Sequence, residues 1–433
     1  MRKFNFFYKF LCLLGIFLGL NILNSDITTY AQTIKPPSVS ADSAIVIDAD
    51  TGQVIYSKNG DKKQFPASTT KVMTALLVLE NTNLHDEVTV GKKPPYAEGS
   101  SIGLKEGEIF TVEDLLTGLM LESGNDCALA LAEHIAGSEE EFAKLMNKRA
   151  IEIGCKNTNF LNASGLPNSQ HITTAYDLSL MLKEAIQYDD FIRIATLPTK
   201  KLAASNLDGY ERYANNHNHL INKDSKLYYK YALAGKTGYT DTARHTYTVS
   251  AKKDGRTLVA SFIKAEDKNK NFKEVASLLD FAFNTSENVT LFSKDYIVEE
   301  LKLTKNNTLP LILEDDFIYT KTASDMPEPK INFDLPNNLK SKSLKKNDLV
   351  AKGTVVIDGL EVGQVNILSG KDRTFNASIA LKEFFINQPA KALIILGSLL
   401  FGLFLIWRIV LSKKDKFDRK RKWRKLTKNV RKN

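Results

Sequence analysis

The run from Ala392 to Leu411 is apolar apart from Ser398 and Arg408. As a helix rising about 1.5 Å per residue it reaches about 30 Å, one hydrocarbon core, so it reads as a membrane-spanning segment (392–411). Twelve Lys or Arg against two Asp follow between Ser412 and Asn433. A basic tail of that kind (412–433) stays on the cytoplasmic side, which puts the chain before the span outside. The other end agrees: Arg2, Lys3 and Lys9 precede an apolar stretch from Phe10 to Leu23 and then Thr29-Tyr30-Ala31, the pattern of a signal peptide (1–31) cut after Ala31. The expectation is a single-pass protein of the cell membrane, touching lipid through its C-terminal helix, with its folded part extracytoplasmic.

The formal charge of +9 suggests a nucleic-acid binder until it is located. The tail alone carries +10, which leaves −1 for everything before it, so no nucleic acid is expected on the folded part. With 433 residues and 43% apolar content the chain has room for two domains. Of the three cysteines, Cys12 falls in the signal segment; Cys127 and Cys155 lie in different expected elements and are read as free, non-catalytic residues.

After a short linker (32–42), Ala44–Asp48 and Gln53–Ser57 alternate around Ala49-Asp50-Thr51-Gly52, a hairpin pattern. Pro66 then breaks the chain, and Thr69–Leu79 is apolar enough for a buried helix. Thr111 caps a helix over Leu115–Leu121, Ser123-Gly124-Asn125 interrupts it, and Cys127–Ile135 resumes helical spacing. Glu139–Ile153 and Thr174–Gln187 are further helices. Lys236–Thr240, His245–Lys252 and Thr257–Lys264 read as strands, and Phe272–Phe283 as a closing helix. Helices in the middle with strands from both ends predict an α/β domain (43–284), an antiparallel sheet carrying helices. Short alternating runs, Ile297–Leu303, Leu309–Thr320, Val350–Asp358 and Val362–Leu368, predict a small all-β domain (285–376), joined to the span by a linker (377–391).

Within this frame Ser68 opens the first helix, with Lys71 one turn on and on the same face. A hydroxyl beside an amine buried in apolar surroundings is an activated nucleophile, because desolvation lowers the amine's pKa and lets it take the proton. Ser-x-x-Lys alone is a weak signal, since chance matches such as Ser250 with Lys253 and Ser343 with Lys346 occur in this chain. Two further matches follow in order: Ser123-Gly124-Asn125, and Lys236-Thr237-Gly238, which occurs once. His217, His219 and His245 have no acidic or cysteine ligand at helical spacing, so they read as solvated loop residues; no metal or other cofactor is expected.

On these three motifs, together with Pro66-Ala67-Ser68-Thr69-Thr70-Lys71, Gly165-Leu166-Pro167 and Lys236-Thr237-Gly238-Tyr239-Thr240, the stretch from Ser43 to Asn284 resembles the serine D-alanyl-D-alanine carboxypeptidases, the low-molecular-mass penicillin-binding proteins. The resemblance implies a transpeptidase/β-lactamase-like fold, a peptidoglycan stem peptide ending in D-Ala-D-Ala as substrate, and acylation by β-lactam antibiotics. It implies Ser68 as acyl-ester nucleophile, Lys71 as proton acceptor and Ser123 as proton relay. Asn125, Lys236, Thr237, Gly238 and Tyr239 are then the substrate-binding residues.

Two departures from the family pattern concern the substrate carboxylate. Ala243-Arg244 stands where the family usually has Ala-Gly, and Asn271, between Lys270 and Lys273, stands where it often has an arginine. Arg244 or one of these lysines is the candidate replacement cation. Two alternatives to a carboxypeptidase are a β-lactamase, for which no glutamate able to hold a deacylating water is identified, and a penicillin-binding wall sensor or scaffold without turnover.

Overall fold

The computed structural model describes residues 35–304, 307–322 and 327–430. The signal peptide and the first residues of the linker fall outside them. The chain forms two compact units, one built on residues up to Asn288 with a short return from Thr320, the other on Val289–Tyr319 and the residues from Pro327 onward.

In the first unit β1 (Ser43–Asp48) and β2 (Val54–Lys58) form the expected hairpin. A 3₁₀ turn (Ala67–Thr70) leads into α1 (Lys71–Asn81). The short pair β3 (Glu87–Thr89) and β4 (Ile109–Thr111) precedes α2 (Val112–Leu121), whose first turn is capped by Thr111 Oγ1 accepting from the Asp114 amide. Then come α3 (Asn125–Ala136), α4 (Glu139–Glu152), α5 (Ala175–Ala185) and α6 (Asp189–Ala195). The small pair β5 (Thr199–Lys201) and β6 (Tyr213–Asn215) precedes the long strands β7 (Ala232–Thr240), β8 (Arg244–Lys253) and β9 (Arg256–Ala265), and α7 (Lys268–Thr285) closes the unit.

The main sheet runs β2-β1-β9-β8-β7, antiparallel throughout. Side chains alternate across a strand, so β1 shows how both faces are covered. Ile45 and Ile47 enter the core that holds α1, α2, α3 and α5. Ala44 and Val46 enter the second core, with Val275, Leu278 and Leu279 of α7. The sheet is therefore a middle layer between helices. Helix α1 is buried from Lys71 to Val78, apolar around most of its circumference as a central helix must be. Removing a side chain such as Leu76 from it would cost about 2–5 kcal/mol.

The second unit is an antiparallel sheet ordered Ile297–Thr304, Asn307–Leu313, Leu360–Ser369, Leu349–Ile357, Pro329–Phe333. Leu309, Leu311, Val355 and Ile367 fill its core. The run read as one strand over Leu309–Thr320 is two, Asn307–Leu313 and Phe317–Thr322. The acidic Glu314-Asp315-Asp316 turns the chain between them, Asp316 accepting from the Lys294 amide. Residues 377–391, expected as a linker, are mostly helical. Asn376 Oδ1 accepts from the Ile379 amide and starts Ala377–Asn387, which breaks at Gln388, the residue before Pro389. A second helix then runs unbroken from Pro389 to Val430.

Candidate active site

The chain enters the site through Pro66, whose carbonyl accepts from Thr69 Oγ1 (2.6 Å) and from Thr246 Oγ1 of β8 (2.9 Å). Ser68 sits inside the 3₁₀ turn rather than at a cap, and Lys71 begins α1. Ala67, just before Ser68, has φ +50°, a left-handed conformation costing an L-residue roughly 1–2 kcal/mol. Its carbonyl lies against Gly165 (φ +90°), where any Cβ would come within 1.9 Å of that oxygen. Glycine is thus obligatory at 165.

Gly165 belongs to a loop wound around Asn162, whose Oδ1 accepts from the amides of Ser164, Gly165 and Leu166. The loop presents the Ser164 carbonyl to Lys71 Nζ at 2.8 Å. Lys71 Nζ also lies 3.0 Å from Ser68 Oγ and 2.6 Å from Asn125 Oδ1. Lys71 is fully buried, and desolvation pushes it well below the usual lysine range; the nearby Lys236 cation pushes the same way, against a weaker opposing effect of Asp126.

Ser123 forms the bend between α2 and α3 with φ +62°, and its shielded Oγ has no hydrogen-bond partner among the described residues. Asn125, the first residue of α3, has its Oδ1 on Lys71 and donates from Nδ2 to the Glu98 carbonyl at 2.5 Å. The second N–H of that amide makes no hydrogen bond among the described residues. On the facing strand β7, the Lys236 ammonium is buried and donates to the Thr237 carbonyl at 3.0 Å. Burial, with Lys268 adding to it, lowers Lys236 to about 7. A Cβ on Gly238 would stand 2.7 Å from the Ser68 amide nitrogen, so only glycine lets β7 lie this close to the Ser68 turn. Tyr239 packs against His245 with the rings tilted by 41° and their centroids 4.7 Å apart.

Ser68, Ser123, Lys236, Thr237, Gly238 and Tyr239 line one cleft of about 360 Å³; Lys71 and Asn125 are buried and do not line it. Arg244, the candidate replacement cation, does not line it. It sits at the β7–β8 turn with φ +56°, half exposed, its Nε 3.5 Å from Glu266. The cation in the cleft is instead Lys268. The pattern starting the last helix at Phe272 hid it in a loop, but Asp267 Oδ1 accepts from the Lys270 amide and so begins α7 at Lys268. Asn271, one turn further, is buried in the cleft wall with its Oδ1 unpartnered among the described residues. Lys270 turns toward Glu274 at 3.7 Å.

The histidines also differ from expectation. His217 is not simply solvated: it lines the cleft with Nε2 3.1 Å from Glu122 Oε2. His245 lines it too, while His219 packs edge-on against Phe272. Cys127 and Cys155 are free, the first buried behind Ser123-Gly124.

The arrangement offers a hydroxyl beside an amine that holds its proton weakly, a second free hydroxyl, and an anion site made by two more lysines. A sequence profile of the D-alanyl-D-alanine carboxypeptidases, peptidase S11, matches residues 30–267, and one of the C-terminal domain of penicillin-binding protein 5 matches residues 287–374. The chain is 34% identical to the D-alanyl-D-alanine carboxypeptidase DacF of Bacillus subtilis over 77% of its own length and 85% of the relative's. It is 32% identical to DacB2 of Mycobacterium tuberculosis, over 58% and 86%. Among solved structures it is similar to a D-alanyl-D-alanine carboxypeptidase of M. tuberculosis, with TM-score 0.54 and 31% identity over 59% of this chain and 95% of that one. Penicillin binding protein 5 of Haemophilus influenzae, TM-score 0.62 at 24% identity over 78% and 99%, shares the fold.

Proposed function

Because the chain belongs to the peptidase S11 family of D-alanyl-D-alanine carboxypeptidases, and is accordingly a serine carboxypeptidase acting on peptidoglycan, we propose that it releases the terminal D-alanine of stem pentapeptides through an acyl-enzyme on Ser68. The observation that carries this is the setting of Lys71 Nζ, 3.0 Å from Ser68 Oγ and otherwise faced by two carbonyl oxygens at 2.6 and 2.8 Å. Lys71 takes the proton as Ser68 attacks the carbonyl of the terminal peptide bond. As the peptide bond breaks, Ser123 Oγ, which has no partner among the described residues, gives its proton to the departing D-alanine amine and takes one back from Lys71; water then hydrolyses the Ser68 ester and restores its hydroxyl. The oxyanion forms beside the backbone N–H groups of Ser68 and Tyr239, and the free N–H of Asn125 steadies the substrate's amide. Lys236, Thr237 and Lys268 receive the terminal carboxylate, Lys268 rather than Arg244, Lys270 or Lys273 supplying the additional cation. β-Lactams acylate the same serine.

In this reading residues 43–284 are the catalytic domain and 285–376 a β domain. The helix over 392–411 anchors the protein in the cell membrane with the site outside, and the basic tail meets anionic lipid on the cytoplasmic side. The test is mass spectrometry of a purified D-Ala-D-Ala pentapeptide before and after incubation with the full-length protein. Loss of one alanine by the parent and not by Ser68→Ala supports the proposal; an unchanged peptide with active-site labelling by a fluorescent penicillin refutes it.

A further inference from the structure

Next to the cleft, the stretch from Glu98 to Glu108 has no helix or strand of its own, and three buried charges give it its path. Asp126, one residue past Asn125, accepts from Ser101 Oγ at 2.7 Å and from the amides of Ile102 and Leu104 at 3.1 Å each. From the other side Arg212 donates to the carbonyls of Ile102 (2.9 Å) and Gly103 (2.6 Å). Its charge is matched by Glu108 at 3.0 Å, wholly buried, which also accepts from the Lys105 amide at 2.8 Å.

The clamped stretch holds Asn125 in turn. The Ser100 carbonyl accepts from the Asn125 backbone amide at 2.7 Å, and the Glu98 carbonyl accepts from Nδ2 at 2.5 Å. A side-chain amide turned end for end keeps its shape and exchanges donor for acceptor. A carbonyl can only accept, so Glu98 selects the orientation in which Oδ1 faces Lys71.

We propose that Asp126 and Arg212 are positioning residues for acylation. By clamping residues 101–104 they fix the Glu98 and Ser100 carbonyls, which fix Asn125, which keeps the Lys71 lone pair directed at Ser68. This rests on Lys71 being the base. Asp126 also acts through space: Lys71 is faced by the Lys236 cation, which favours its neutral form, and by the Asp126 carboxylate, which opposes that, while burial keeps the neighbouring Cys127 thiol neutral. Arg212 stands across the clamped stretch from Asp126. Removing the Asp126 charge and loosening the clamp therefore leave different marks. The first makes Lys71 release its proton at lower pH, and the second lowers the rate once Lys71 is neutral.

The experiment measures the acylation rate of the full-length protein by fluorescent penicillin from about pH 4 to about pH 9, with thermal unfolding in parallel. Asp126→Asn is expected to lower the plateau about tenfold or more and to move the acid limb to lower pH. Ser101→Ala and Arg212→Lys keep both charges and are expected to lower the plateau about threefold or more without moving the limb. A folded Asp126→Asn with its plateau within about twofold of the parent and its limb unmoved overturns the proposal. So does a lower signal due entirely to fewer molecules labelling at the parental rate. If Asp126→Asn does not fold, Ser101→Ala decides, and a plateau within about twofold of the parent overturns it. A parent profile with no acid limb would instead sink the role of Lys71, while the plateau ratios would still report on the clamp.

Discussion

The Ser164 carbonyl oxygen lies 2.8 Å from Lys71 Nζ, and this contact fixes which way the amine can use its lone pair. A neutral amine has two N–H groups. Ser164 O and Asn125 Oδ1 can only accept, so they occupy both, and Ser68 Oγ is left facing the lone pair. An ammonium would direct its third N–H at Ser68 and could not take its proton. Asn125→Asp puts a carboxylate where the amide oxygen stands and favours the ammonium. The acid limb of kcat/KM should move up by about one unit or more, with activity at neutral pH falling about tenfold. Unmoved pH profiles in Asn125→Asp would contradict this account of the base.

Lys268 should govern recognition of the substrate carboxylate. Lys268→Gln removes a charge-assisted contact of about 1.5–3 kcal/mol, a KM increase of about tenfold or more, with little change in kcat. A substrate ending in a carboxamide should not respond, and Arg244→Ala should stay near the parent with either substrate. Lys236, lowered to about 7, loses its proton as pH rises, so kcat/KM should fall on the alkaline side with a midpoint near that value. Because Lys268 repels the Lys236 cation, Lys268→Gln should shift this alkaline limb to higher pH. Steady-state kinetics with the two substrates separates these effects.

The elements legible in the sequence are those whose cause is local. The β1–β2 hairpin and the Thr111 cap each follow from a few adjacent residues. So does the order of the Ser68, Ser123 and Lys236 motifs. What escaped depends on distant chain. Ser164 offers only a backbone carbonyl, which no side-chain pattern marks, and it reaches Lys71 because Gly165 alone fits against Ala67. Lys268 is hidden by a helix start that rests on Asp267, a cap five residues before the first large apolar residue, Phe272. Helix Ala377–Asn387 was missed because its apolar residues lie on no single face, and Leu381, Phe385 and Ile386 are exposed.

His171 predicts an acid sensitivity of the fold. Its Nδ1 accepts from the Leu161 amide at 3.1 Å, so the proton sits on Nε2 and is donated to Thr70 Oγ1 at 3.0 Å. Burial lowers its pKa to about 4, from an ordinary value of 6.5. The native state therefore binds fewer protons than the unfolded chain between those values. The stability held by neutral His171 is complete above about 6.5 and declines by up to about 3 kcal/mol as pH falls toward 4. His171→Gln, which cannot titrate, should flatten this part of the stability curve. Urea unfolding at several pH values measures the slope, and parallel curves for parent and variant would refute the assignment.

Gly165→Ala should disable the site from a loop that carries no reacting side chain. The added Cβ would meet the Ala67 carbonyl at 1.9 Å and Thr70 Oγ1 at 2.9 Å, and the φ of +90° is itself unfavourable for alanine. The loop must move, taking the Ser164 carbonyl from Lys71. A loss of about 2–4 kcal/mol in stability is expected, with penicillin acylation down about a hundredfold or more in the folded fraction. Parental acylation in folded Gly165→Ala would mean that the Ser164 contact is dispensable.

The C-terminal helix makes the last prediction. Over Pro389–Arg424 it has a span of mean hydropathy 2.4, none of it buried within the molecule. Leu393, Leu399, Phe401 and Leu403 are each more than 60% exposed. A core helix of a water-soluble protein would cover such residues, since each gains about 1.5–3 kcal/mol on leaving water. On the proposed topology a bilayer would supply the missing apolar medium, and the lysines and arginines from Lys413 onward would hold the end of the span at the cytoplasmic surface, because drawing each into hydrocarbon costs about 2.5–3.5 kcal/mol or more. The intact chain should stay with membranes through an alkaline carbonate wash, and truncation after Gln388 should release penicillin-labelling activity into the soluble fraction. Protease added outside intact cells should spare an epitope placed after Val430. Recovery of the full-length chain in the wash, or digestion of that epitope, would rule the span out.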